Sequence, residues 1–216
     1  MLKPERVVSR DYEWATLSGF VGHPDEHLRI GVVSGQRRVG KSYLLRALTE
    51  ASGGLHITAV AEEAAPAARQ RFAADIARYA GIRPELIGAG ASWEALLTSA
   101  IDVVVQRQGR SGLLVIDELP YWLGHSPEIP GLLQLSYDRS HADEGHRGGR
   151  VVLCGSAMSV MTTLLSGTKA LRGRAAVDLR MAPFDLPTTA NLWASRIGLP
   201  RCECMPRSAV HRATAR

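Results

Sequence analysis

Apolar positions along the chain follow two rhythms. Short, β-branched runs such as Leu28-Arg-Ile-Gly-Val-Val-Ser34, Gly112-Leu-Leu-Val-Ile-Asp-Glu118 and Arg150-Val-Val-Leu-Cys-Gly-Ser156 have the look of strands buried on both faces. With two weaker runs they predict strands at about 28–34, 55–60, 112–117, 150–155 and 176–182. Between them, apolar residues recur at spacings of three and four. Examples are Leu44, Leu45 and Leu48, then Phe72, Ile76 and Tyr79, then Trp93, Leu96 and Leu97. These read as core positions and predict helices at about 41–51, 67–80, 92–107, 129–139 and 157–165, with another at about 11–21. Ser52-Gly53-Gly54 is a stop signal for the second of these in chain order. Five strands alternating with helices predict an α/β fold, a parallel sheet covered by helices on both faces.

Two segments break the pattern. Residues 140–149 are polar and glycine-rich and predict a mobile loop, with His141, Asp143, Glu144 and His146 in it reading as solvated groups rather than metal ligands. From Ala194 onward, Arg, Pro and Cys mix without apolar periodicity, so residues 194–216 are expected to be an irregular, disordered basic tail behind a domain spanning 1–193. Cys202, Cys204 and His211 in that tail lack the ligand spacing and fourth partner of a zinc site.

Charge narrows the partners. The net charge of +5 invites a nucleic-acid reading. However, residues 196–216 carry five Arg against Glu203 alone, which leaves residues 1–195 with a net charge of only +1. A DNA partner therefore finds no support in the charge of the core, and a protein partner is the default expectation. No apolar stretch approaches the ~20 residues that span a bilayer, and the first residues lack a signal-peptide core, so a cytoplasmic location without membrane contact is expected. The oligomeric state is not legible.

The chemistry lies at strand ends. Gly35-Gln36-Arg37-Arg38-Val39-Gly40-Lys41-Ser42 matches the phosphate-binding pattern G-x-x-x-x-G-K-[ST] between a strand and a helix, with Tyr43 next. A loop that wraps a polyphosphate brings backbone N–H groups to the anion, which requires glycine at the tight points. The free N–H groups and dipole of the following helix add to the attraction. Lys41 reaches the β- and γ-phosphates and Ser42 offers a hydroxyl to Mg²⁺. Arg37 and Arg38 occupy unspecified positions and face nucleotide, partner or solvent. Lys41 also stands out as one of three lysines beside 23 arginines.

Asp117 and Glu118 end an apolar strand, where packing alone gives no reason for carboxylates. Beside a P-loop they read as the Mg²⁺-holding aspartate and the carboxylate that polarises the attacking water. Ser156 ends the next strand. It reads either as a polar sensor of the γ-phosphate or as a helix N-cap. Arg172 and Arg174 read either as sources of transition-state charge, in the same or a neighbouring subunit, or as a solvated basic loop. Cys154 reads as a small core residue.

Taken together, residues 35–45, 115–121, 154–157 and 171–174, with Ser9-Arg10-Asp11, Trp14 and Leu17 at the start, resemble the archaeal-type ATPase group, also found in bacteria, of the AAA-like P-loop ATPases. In that family Glu is usual at the position of Asp11. The resemblance covers about residues 8–188. It implies a three-layer P-loop sandwich of strand order 5-1-4-3-2, with Mg·ATP at the carboxyl ends of the strands. It also implies slow, regulated hydrolysis that drives conformational change. The family's C-terminal helical lid has no counterpart in the tail, so a shortened or frame-disrupted relative with weakened turnover is expected. Two other readings compete: a low-turnover ATP switch that recruits a protein or DNA partner, and a small-molecule kinase, for which no acceptor-binding signature exists.

Overall fold

The structure, a computed structural model, describes residues 1–88, 90–142, 148–186 and 188–189. Five strands, β1 (Arg29–Gly35), β2 (Leu55–Thr58), β3 (Leu113–Asp117), β4 (Arg150–Gly155) and β5 (Ala175–Met181), form one sheet in the order β2-β3-β4-β1-β5. Every neighbouring pair is parallel. This is the expected order 5-1-4-3-2 read from the other edge. The helices are α1 (Asp11–Val21), α2 (Lys41–Ser52), α3 (Ala65–Ala80), α4 (Trp93–Gln108), α5 (Pro120–Leu123), α6 (Ile129–Ala142) and α7 (Met158–Leu164).

Strand periodicity sorts the core into two layers. Ile30, Val32, Leu114, Ile116, Val151 and Leu153 point to one face, where Phe72 of α3, Leu96 and Leu97 of α4, Leu133 of α6 and Met161 of α7 cover them. Val33, Leu113, Val115, Val152 and Cys154 point to the other, against Trp14 and Leu17 of α1 and Leu44, Leu45 and Leu48 of α2. Side chains alternate along a strand, so a fully buried strand needs apolar residues on both parities. Phe72, Trp93 and Trp122 pack together with centroids 4.6–6.0 Å apart and anchor the first layer.

Two local readings change. Helix α6 continues through Ala142, so His141 is helical, stacked between Tyr137 (4.0 Å) and His27 (4.8 Å), rather than part of a polar loop. Residues 143–147, with Asp143, Glu144 and His146, lie outside the described residues. The short α5 was not expected. It starts at Pro120, which suits a first helical turn.

The chain divides into two compact units, Met1–Ala182 and Pro183–Arg216. The first holds all the elements above. In the second, Asp185 caps a turn by accepting the Thr188 N–H at 2.9 Å. The expected irregular tail from Ala194, with Cys202, Cys204 and His211, lies outside the described residues.

At the amino ends of the strands, Arg150 is fully buried and donates to four backbone carbonyls, those of His23, Asp25, His27 and Gly149, at 2.5–3.1 Å. It closes the loop before β1 onto β4. Arg150→Met keeps the apolar volume but removes the guanidinium donor from the carbonyls of His23, Asp25 and His27, while that of Gly149 keeps the Arg29 N–H. The expected result is a loss of about 3 kcal/mol in urea denaturation, from lost charge-assisted hydrogen bonds. Because the change is at the opposite end of the sheet from the P-loop, affinity for ATP in the folded variant should stay at the parent's level.

Candidate functional site at the carboxyl ends of the strands

Residues 35–42 run from the end of β1 into α2, as the motif requires. Two glycines are needed for different reasons. A Cβ on Gly35 would stand 2.5 Å from the Met181 carbonyl oxygen, so the loop leaves β1 pressed against β5. Gly40 is the N-cap of α2 with φ 91°, a left-handed conformation that L side chains rarely take. With glycine there, no capping side chain competes for the first N–H groups of the helix.

Lys41 is 4% exposed and curls into the loop, with Nζ donating to the carbonyls of Gly35 (2.8 Å) and Gln36 (2.9 Å). Its charge is thus held where the loop's amides converge. Val39 is buried and its carbonyl accepts from Arg10 at 2.8 Å, while the same Arg10 nitrogen also donates to the Ala182 carbonyl at 2.9 Å. Arg10 is 7% exposed and pairs with Glu13 at 2.6 Å. The opening segment therefore clamps the phosphate loop to the end of β5. The sequence pointed at Arg10 only through family resemblance, without this role.

The other loop residues divide. Arg37 donates to the Tyr121 hydroxyl, tying the loop to α5. Arg38 is exposed with φ 66°, and Gln36 is exposed as well. Tyr43 is 53% exposed and donates to the Arg6 carbonyl at 2.9 Å.

Strand β3 delivers Asp117, which is 1% exposed. Its Oδ1 accepts the Glu118 N–H at 3.0 Å, whereas Oδ2 is buried without a hydrogen-bond partner within ordinary reach. Burial pushes the Asp117 pKa up, but interactions with the His56, Ser42 and Cys154 side chains outweigh it and hold the pKa at about 2. Because the folded value lies below that of the unfolded chain, this ionised group adds stability above about pH 4 that disappears as pH falls through about 2. Burial, and next the Asp117 charge, push the Cys154 thiol well up, so it stays neutral.

Glu118 takes a left-handed φ of 53°, which costs an ordinary residue about 1–2 kcal/mol. That turn redirects its carboxylate across to β4. Oε2 there accepts the Ser156 N–H at 3.3 Å and the Ser156 hydroxyl at 3.0 Å. Lys41 and Ser42 thus open α2, Asp117 ends β3 with Glu118 next, and Ser156 follows β4, all at the carboxyl end of the central strands.

Arg174 and Arg172 are bound elsewhere. Arg174 forms a two-pronged pair with Asp138 of α6, at 2.8 and 3.0 Å, and donates to the Ala170 carbonyl at 3.2 Å. Arg172 donates to the Gly167 carbonyl at 2.8 Å.

The donor set fits Mg²⁺. That ion takes oxygen ligands and usually needs only one or two from the protein beside substrate phosphates and water. A buried, ionised and unpartnered Asp117 Oδ2 near a hydroxyl is such a set. Among the described residues no cluster of three or more His, Cys, Asp or Glu could hold a metal alone. Nor is any helix among them long and apolar enough to cross a membrane.

Solved structures share this architecture. A Walker-type ATPase of Pyrococcus abyssi aligns with TM-score 0.62 and 19% identity, over 92% of this chain and 61% of its own. Cdc6p from Pyrobaculum aerophilum aligns with TM-score 0.64 and 19% identity, over 91% and 51%. The ORC2 protein of Aeropyrum pernix, in ADPNP-ADP complexes, aligns with TM-score 0.63 and 16% identity, over 90% and 53%. At such identities the likeness is one of fold, and the chain spans about half to three-fifths of their lengths. No curated protein matches the sequence significantly. The family model described as "AAA domain" matches residues 25–164, which take in the phosphate loop, β3, β4 and α7, and the chain belongs to that family of ATP-binding P-loop domains.

Proposed function

We propose that this domain is a Mg·ATP-dependent switch that turns over slowly and passes its nucleotide state to a protein or DNA partner. The observation that carries this reading is the Glu118 carboxylate, which both the N–H and the hydroxyl of Ser156 hold. Both bonds fall on Oε2 and hold the carboxylate toward the end of β4, so it does not turn freely onto a water. Release of Glu118 from Ser156 thus becomes a step that ATP or a partner must supply. The strained backbone of Glu118 points the same way, since such strain gathers at switching positions.

In this reading the amides of residues 35–42 wrap the phosphates, and Lys41 exchanges its two loop carbonyls for phosphate oxygens. Ser42 and Asp117 would hold Mg²⁺, which would supply charge neutralisation for the bound phosphates. Glu118, once released, takes the proton of the attacking water, while Ser156 reports on the γ-phosphate. Arg174 supplies transition-state charge only if Asp138 lets it go.

A faster ATP hydrolase is the second reading, favoured by the presence of Glu118 directly after Asp117. Turnover separates the two. With Mg·ATP alone, the switch should bind tightly and release phosphate on the order of 10⁻³ s⁻¹, the scale of unassisted switch nucleotidases. Steady release on the order of 1 s⁻¹ without a partner would decide for the hydrolase. Absence of ATP binding in folded protein would sink both.

Three variants resolve the roles. Lys41→Ala should weaken ATP binding by about 10- to 100-fold in equilibrium titration, as the loss of a charged hydrogen-bonding partner implies. Glu118→Gln should keep ATP affinity within about twofold and cut phosphate release by about 10²-fold or more in single-turnover assays. Arg174→Ala should leave ATP affinity unchanged and barely move the midpoint of chemical denaturation, since its pair with Asp138 is partly exposed. A fall in phosphate release of about 10³-fold in that variant would assign it the charge-stabilising role.

A further inference from the structure

His56 on β2 lies outside every motif, yet its ring faces the Mg²⁺-binding aspartate. Parallel pairing sets Thr58 opposite Asp117 and His56 opposite Val115. His56 is two residues from Thr58, so it shares the α2-covered face with Asp117. Its Nε2 stands 3.6 Å from Asp117 Oδ2. Both atoms are buried, and neither has another hydrogen-bond partner. An unmatched nitrogen thus faces an unmatched carboxylate oxygen, and a small approach satisfies both. Because an ionised carboxylate only accepts, Nε2 is assigned the proton. On the far side, Nδ1 is 3.5 Å from the Thr49 hydroxyl of α2, whose own proton goes to the Leu45 carbonyl.

We infer that His56 is a positioning residue for Asp117, holding the carboxylate in the orientation that accepts Mg²⁺. The inference rests on the Mg·ATP reading above and deepens it. Groups that hydrogen-bond a metal ligand set its orientation, and their loss typically weakens metal affinity by about 10- to 100-fold. His56 lines an open cavity of about 630 Å³ with Arg46, Thr49, Thr58 and Arg71, so a replacement side chain can be hydrated there.

The test uses two polar replacements of different reach. The amide nitrogen of glutamine falls near the place of Nε2, whereas that of asparagine falls near Nδ1 and cannot reach Asp117. The full chain and its His56→Gln and His56→Asn variants are titrated with a fluorescent ATP analogue, in Mg²⁺ and again in EDTA. Thermal unfolding in EDTA is recorded for each. The expected result is equal affinity in EDTA for all three. The gain on adding Mg²⁺ should fall by about tenfold in His56→Asn and stay within about twofold of the parent in His56→Gln.

An unchanged Mg²⁺ gain in His56→Asn overturns the inference, whatever happens to its melting temperature. So does an equal loss in both variants. A parent that binds the analogue equally with and without Mg²⁺ overturns the metal reading beneath the inference, and a parent that does not bind it overturns the nucleotide reading itself.

Discussion

The site exists because three parallel strands share a register. Strand β4 lies between β1 and β3, and hydrogen-bonded pairing sets Ser34 beside Gly155 and Ile116 beside Leu153. All three strands therefore end at one level. The residues just past those ends, the phosphate loop, Glu118 and Ser156, become neighbours although long crossovers separate them in sequence. Parallel strands also point their chain exits the same way, so each exit opens on the same crevice. Every functional distance described here depends on that alignment.

The two core layers keep the alignment rigid. Apolar residues of both parities along β1, β3 and β4 are sealed by helices on each face, so a slip of one residue would turn every side chain to the wrong layer. On this frame a few polar contacts do specific work. Arg10 clamps the phosphate loop to the end of β5, Arg150 ties the opposite ends of the strands together, and Arg37 joins the loop to α5. Each is an arginine acting mainly on oxygen acceptors. The composition foreshadows this, with 23 arginines and three lysines, and Lys41 lies inside the loop.

At the site, rigidity gives way to tension. The Glu118 backbone is left-handed, its carboxylate is engaged by Ser156, and Lys41 is satisfied by its own loop. The Glu118 carboxylate and Lys41 each have a protein partner that a nucleotide would have to replace. Such an arrangement is what supports the proposed switch over the proposed fast hydrolase. Asp117 differs, since one of its oxygens faces His56 beyond ordinary hydrogen-bond reach and its charge is already in place.

Sequence alone determined the architecture and named most of the residues that meet at the candidate site. Short β-branched apolar runs and three-four helical spacing placed the five strands and all the long helices, because burial on both faces demands the first and burial on one face the second. The phosphate loop and the Asp117-Glu118 pair were legible because close approach to an anion demands glycine, and a buried strand has no packing use for carboxylates. Tertiary structure decided the rest. Whether Ser156 meets Glu118, whether Arg174 is spoken for by Asp138, and that His56 shares a face with Asp117 all depend on strand register and on one left-handed φ. Neither leaves a periodic trace. A register is a relation between segments distant in sequence, and a single turned backbone at Glu118 is held by its surroundings rather than by the preference of glutamate itself.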